Sequence, residues 1–178
     1  MRVSFCSTLP ATHLRSLERL VFFNRHQRSA EHAIVKAVDL YGQPTIERTN
    51  GRLHVALASR HDSQCLFATT IRQGRSVLVG MALYARPTSA DLVVVHMAIA
   101  GMVPAGSATA YGVLRGLMRQ ICTIASRVRG IDSVQLLYSG RPLRSQYSAD
   151  SPKTTLVSDV AFPYSLISTH DFGMNNCS

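Results

Sequence analysis

The spacing of apolar and polar positions changes several times along this chain, and each change marks an element. From Thr12, residues Leu14, Leu17, Leu20, Val21 and Phe22 recur at near-helical spacing with Arg15, Glu18 and Arg19 between them, predicting a first helix that ends near Asn24. Ser29 is placed to cap a second helix over 30–40, burying Ala33, Ile34, Ala37, Val38 and Tyr41 and stopped by Gly42 and Pro44. Four strand-like segments follow, at 52–59, 65–72, 76–85 and 91–100, punctuated by the turns Asn50-Gly51, Gln73-Gly74 and Pro87-Thr88-Ser89. Connections this short imply an antiparallel meander. Leu53, Val55 and Leu57 alternate with polar residues, as in a half-exposed strand, whereas 77–84 is apolar throughout and belongs deeper in the sheet.

The most coherent stretch is 91–140, which reads as strand, small-residue loop, amphipathic helix and strand: one βαβ unit. Val113, Leu114, Leu117, Met118, Ile121, Cys122, Ile124, Ala125 and Val128 form one helical face, with Arg115, Arg119, Arg127 and Arg129 mainly opposite. The helix is expected over 112–129, with Gly130 as its left-handed cap and Ile131 closing it. The loop 101–110 then lies at the carboxyl end of the first strand and at the helix N-terminus, a place suited to an anion. Beyond Tyr138 the pattern weakens; 140–155 reads as a loop and only 154–164 suggests a further strand. The expectation is a single α+β domain over 1–178, with 140–178 weakly patterned. Its mixed, mostly antiparallel sheet carries the parallel pair 91–100 and 133–139, and its core holds Val79, Leu83, Val93, Val95, Leu117, Ile121, Ile124, Val134 and Leu136.

Composition narrows the setting. A length of 178 residues with 46% hydrophobic content suits one well-buried core. No run of about 18 apolar residues occurs and the N-terminus lacks a signal-peptide pattern, so a cytoplasmic protein without a membrane span is expected. The net charge of +9 suits anionic partners in general. The arginines are scattered, without a basic run or an aromatic-interleaved stripe, so a solvated basic surface is favoured over a nucleic-acid face. Oligomerisation is left open. Cys6, Cys65, Cys122 and Cys177 stand far apart, as reduced thiols would.

No phosphate-binding P-loop, nucleophile elbow or zinc helix pattern is present. His54, His61 and Cys65 are close in sequence but lack the spacing of a metal site. His96 stands in an otherwise apolar strand leading to the anion-suited loop, where an imidazole can act as a general base; a hydrogen-bonded structural histidine is the simpler alternative.

Taken in order, two helices, a meander, a central strand ending in a small-residue loop, a long helix and a further strand resemble the GNAT superfamily of acyl-CoA-dependent N-acyltransferases over about residues 14–138. The resemblance implies that the backbone of Met97, Ala98 and Ile99 holds the pantetheine arm and thioester of acetyl-CoA or another acyl-CoA. It also implies that Gly106, Ser107 and Ala108 present N–H groups to the pyrophosphate. The acceptor would be an amine, on a small molecule or a protein. His96 would be the base, and Tyr147 the nearest candidate for the family's tyrosine acid. Val103 stands where the family has Arg or Gln, and Pro104 lies inside the loop. A non-catalytic binding or assembly module on the same scaffold, holding an acidic protein or nucleic acid, is the alternative. The stretch from Gly106-Ser107 through GIDSVQLLYSGRPL also looks like a GerM-type domain, a minority reading because such domains are usually exported and lack the long upstream meander.

Overall fold

A computed structural model describes residues 2–22, 31–58, 62–104 and 106–137. The elements, in chain order, are β1 (Val3–Cys6), β2 (Leu9–Pro10), a 3-10 turn (Ala11–His13), α1 (Leu14–Val21), α2 (Glu31–Tyr41), β3 (Pro44–Thr49), β4 (Arg52–Leu57), β5 (Asp62–Arg72), β6 (Arg75–Arg86), β7 (Asp91–Ile99), α3 (Ala108–Ala125) and β8 (Ser133–Leu136). They form a mixed α+β structure whose larger sheet is mostly antiparallel. The expected strand 154–164, the cap at Ser29 and Tyr147 lie outside the described residues.

The five-stranded sheet has the order β1-β5-β6-β7-β8, with β7 and β8 parallel as the βαβ reading requires. Each face of this sheet carries its own core. On one face lies α3, whose Ala110, Val113, Leu117, Ile121 and Ala125 are spaced three or four apart and fully buried. Burying each of the larger of these side chains contributes about 1.5–3 kcal/mol. The other face is covered by α1, α2 and a second sheet, through Leu17, Leu20, Ala37, Leu53 and Val55 packed on Phe67, Met81, Leu83, Val93 and Val95.

Four expectations are corrected. The meander has three strands, β5 to β7, because β4 belongs to the separate three-stranded sheet β2-β4-β3. The turn Asn50-Gly51, with both residues at positive φ, folds β3 back onto β4, and Leu9–Pro10 takes the opposite edge, so β4 has no edge left for β5. The link to β5 is instead the Leu57 N–H donated to Ser63 Oγ at 3.0 Å. Helix α3 starts a turn earlier than expected, with Ser107 as N-cap accepting from the Ala110 N–H at 3.1 Å, and it also ends earlier, at Ala125. Near that end, Thr123 Oγ1 donates to Arg119 O and Ser126 Oγ to Thr123 O, hydroxyl bonds that compete with helix continuation. Gly130 is left-handed as expected, but it closes a turn beyond the helix, leaving Val128 exposed and Ile124 half-buried. On α2 the buried face is narrower than expected, with Ala37 and Tyr41 buried and Val38 exposed.

Two glycines on the α3 side differ in what surrounds them. A Cβ at Gly80 on β6 would lie 2.8 Å from Val113 Cγ1 and 3.1 Å from the Ala98 carbonyl oxygen, so the sheet and helix meet there without room for a side chain. At Gly112, on the exposed face of α3, a Cβ meets nothing within 4 Å. Gly80→Ala should therefore destabilise by about 1–3 kcal/mol through overpacking. Gly112→Ala should stabilise by about 1 kcal/mol through helix propensity. Urea denaturation of the two variants checks both signs, and equal effects would contradict the close approach at Gly80.

Candidate functional site

The carboxyl end of β7 is shaped by an extra residue. Leu83 pairs with His96 and Tyr84 with Val94, so Val95 is left over as a β-bulge. Upstream of it, Val94 points to the α3 side and Val93 to the other; downstream, Met97 points to α3 and Ala98 away. The bulge resets the alternation, and His96, opposite Leu83, falls on the face covered by α1 and α2, away from α3.

The described part of the parallel neighbour reaches as far as the Leu137 N–H donated to the Val94 carbonyl at 3.0 Å. On its other edge β7 stays paired with β6 as far as the Ala100 N–H donated to Val79 O at 3.0 Å. Along an antiparallel ladder, backbone groups point alternately to one edge and the other, which places the N–H and C=O of Met97 and Ile99 on the edge facing away from β6. Among the described residues, no strand runs beside that edge beyond Val94. The side chains of Met97 and Ala98 are buried in opposite cores and Ile99 is half-buried.

A tight loop returns the chain to α3. The Val103 N–H donates to Ala100 O at 2.9 Å, and the Val103 side chain is buried in the α3-side core. The position expected to carry Arg or Gln is thus an apolar anchor. Gly106 adopts φ 70°, a region open to glycine, and delivers Ser107 to the cap position. The three residues proposed for phosphate are not equivalent. The Ser107 N–H already donates to Pro104 O at 3.3 Å, while Gly106 and Ala108 are exposed. Ala108 and Thr109 open the helix, where N–H groups have no intrahelical acceptor and the helix dipole favours an anion.

His96 is half-buried, while its neighbours Val95, Met97 and Ala98 are almost fully enclosed. Protein encloses the imidazole itself, and desolvation pushes its pKa down to about 4. The ring is neutral at pH 7 and a weak base. At the opposite end of the β7–β8 pair, Asp91 accepts from Ser133 Oγ at 2.6 Å and Thr88 Oγ1 at 2.8 Å, and these bonds hold its carboxyl below the usual range. That cluster ties the two strands together.

His96, Met97, Ala98, Ile99, Gly106, Ser107 and Ala108 thus gather at one end of β7, while Tyr147 lies outside the described residues. His54 pairs instead with Glu47 across β3 and β4 at 2.9 Å, and Cys65 is buried in the core away from α3; His61 is outside the described residues. Among the described residues no group of three or more His, Cys, Asp or Glu could hold a metal, and no helix is long and apolar enough to cross a membrane. The bulge at Val95 and the close approach at Gly80 were not foreseen from the sequence. In an unbroken apolar run the period-two signal that would place a bulge is absent.

The depressed pKa of His96 has a stability consequence. Because the folded-state value lies below the unfolded one of about 6.5, the neutral ring costs nothing above that pH. As pH falls from about 6.5 to about 4 the unfolded chain takes up a proton that the folded chain does not, so stability declines, by up to about 3 kcal/mol. His96→Gln should flatten this segment of the stability profile. The loss associated with Asp91 belongs to lower pH, since a depressed carboxylate is protonated only there. Comparison with known protein families, curated proteins and solved structures finds no match to this chain.

Proposed function

We propose that the protein is an acyl-CoA-dependent N-acyltransferase of the GNAT kind, transferring an acetyl or longer acyl group to an amine. The observation that carries this reading is the end of β7. The edge of β7 that faces away from β6 carries the backbone groups of Met97, and the strand leads, through a short loop, to the N-terminus of α3. An extended pantetheine arm can add to such an edge through main-chain hydrogen bonds, as an added β-strand would. The pyrophosphate then falls at Gly106 and Ala108, where exposed backbone and the helix dipole suit it. With the thioester carbonyl against the Met97 N–H, developing negative charge has a fixed donor. His96, on the neighbouring residue and the other sheet face, takes the proton lost by the attacking amine.

A second reading has its own observation. The β5–β6 hairpin is exposed throughout 71–76, reaches beyond the end of β7 and carries Arg72 and Arg75, with Arg2 beside it at the start of β1. A non-catalytic module could use that basic end to hold an acidic protein or nucleic acid, with retention falling steeply as salt rises.

Coenzyme A separates the two. At 100-fold excess over its Kd it should stabilise the acyltransferase by about 2.7 kcal/mol, which for a chain of this size raises Tm on the order of 5–10 °C. Ala108→Glu should abolish that shift, because a carboxylate occupies the anion's place. The same substitution should leave the unliganded Tm unchanged or slightly higher, because a negative charge suits a helix N-terminus. No shift at millimolar coenzyme A, with salt-sensitive retention on nucleic acid, would favour the second reading.

A further inference from the structure

We propose that one end of the larger sheet, formed by the β5–β6 hairpin and the loop after β7, docks on an anionic lipid bilayer. Ile71 and Met102 enter the headgroup layer, while Arg2, Arg72 and Arg75 meet the lipid phosphates. The inference goes beyond both readings above and rests on neither. Strand directions bring these residues together. Because β5 runs antiparallel to β1 and β6, and β6 to β7, strands β5 and β7 finish at the end where β1 and β6 start. Thr70 Oγ1 donates to Arg2 O at 2.9 Å, which holds Arg2 beside Ile71, and the turn Gln73-Gly74, with both residues at positive φ, joins Arg72 to Arg75. Met102 lies in the turn closed by the Val103 N–H on Ala100 O, directly beyond β7.

Two properties of that end argue for a membrane, and the first is exposed apolar surface. Ile71 is 69% exposed and Met102 55%, the two highest values for large apolar side chains among the described residues. Each stands at a tip, where insertion disturbs no core contact.

The second property is charge. Between Asp62 and Leu137 the carboxylates are Asp62, Asp91 and Asp132, and all of them stand at the opposite end of the sheet, where β5 and β7 begin and β8 is entered. Among the described residues no carboxylate pairs with Arg2, Arg72 or Arg75. Arg72 lies directly opposite Arg75 in the last pair of the ladder, and like charges so placed destabilise a hairpin. An anionic surface relieves that repulsion. The N-terminus of α3 adds positive potential at the same end. Apolar tips within a basic rim suit a surface where apolar area enters the acyl boundary and guanidinium groups meet phosphate. Single-stranded nucleic acid is gripped by stacking on aromatic rings, and neither 71–76 nor 100–104 contains one.

The test is co-sedimentation of the full chain with vesicles of phosphatidylcholine alone and of an equimolar mixture with phosphatidylserine. The protein should partition onto the mixed vesicles and not onto phosphatidylcholine alone. Arg72→Gln with Arg75→Gln should weaken partitioning by roughly fivefold for each arginine. Ile71→Ser with Met102→Ser should weaken it by about tenfold or more, through lost apolar insertion. Arg127→Gln with Arg129→Gln, beyond the far end of α3 and well over a Debye length away, should change it by no more than about twofold. All of these side chains are exposed, so the variants should fold with Tm unaltered. No partitioning onto the mixed vesicles overturns the inference. So does partitioning that the Ile71 and Met102 substitutions leave unchanged, which is electrostatic adsorption alone, and so does an equal loss from the Arg127 and Arg129 pair. Retention of a nucleic-acid duplex in preference to the mixed vesicles, lost in the Arg72 and Arg75 variant, overturns it in favour of the nucleic-acid reading.

Discussion

Two parallel strands cannot be joined by a tight turn, so the ladder between β7 and β8 requires a crossover, and α3 is that crossover. Its register runs from Asp91 opposite Ser133 to Val94 opposite Leu136, and the start is fixed by side chains as well as backbone. Asp91 accepts from Ser133 and Thr88, while the N–H groups of Asp132 and Ser133 both donate to Ala90 O. Because the ladder is anchored at that end, the crossover returns the chain from the far end of β7, and the N-terminus of α3 lies close to Met97 and Ile99 as a consequence of that one pairing.

The sheet itself is held from both sides by different means. On the α3 face the fit is steric, with Gly80 admitting Val113 and Gly116 admitting the ring of Phe5. On the opposite face the cover is assembled from two short helices and a small sheet, and its core still ends at half-buried positions, Ala100 and Leu137, near His96.

Much of this was legible in the residues. The apolar runs of β6 and β7, the helical face from Val113 to Ala125 and the glycine turns at Gly51 and Gly74 fixed element type because local pattern and local backbone preference agreed. Strands β1 and β3 were missed for physical reasons. Val3–Cys6 is a four-residue edge strand, and Pro44–Thr49 includes a proline and is exposed along much of its length, so neither offers a buried alternation to detect. Assigning β4 to the larger sheet failed because a short connection fixes proximity but not which edge is already taken. At the site, His96 and the loop were visible as residue types in a place. The face His96 occupies depended on Val95 being the extra residue, and that is a property of register between strands.

The bulge at Val95 gives β7 one residue to spare. Val94 and His96 already face opposite sides of the sheet and stand opposite the adjacent Tyr84 and Leu83, so a chain lacking Val95 would close the ladder with both halves in place and His96 on the same face. An added residue has no such outlet: it would either enlarge the bulge or slip one half by a position and exchange inside for outside. The strand between Asp91 and Ile99 can thus lose a residue at one point more easily than it can gain one.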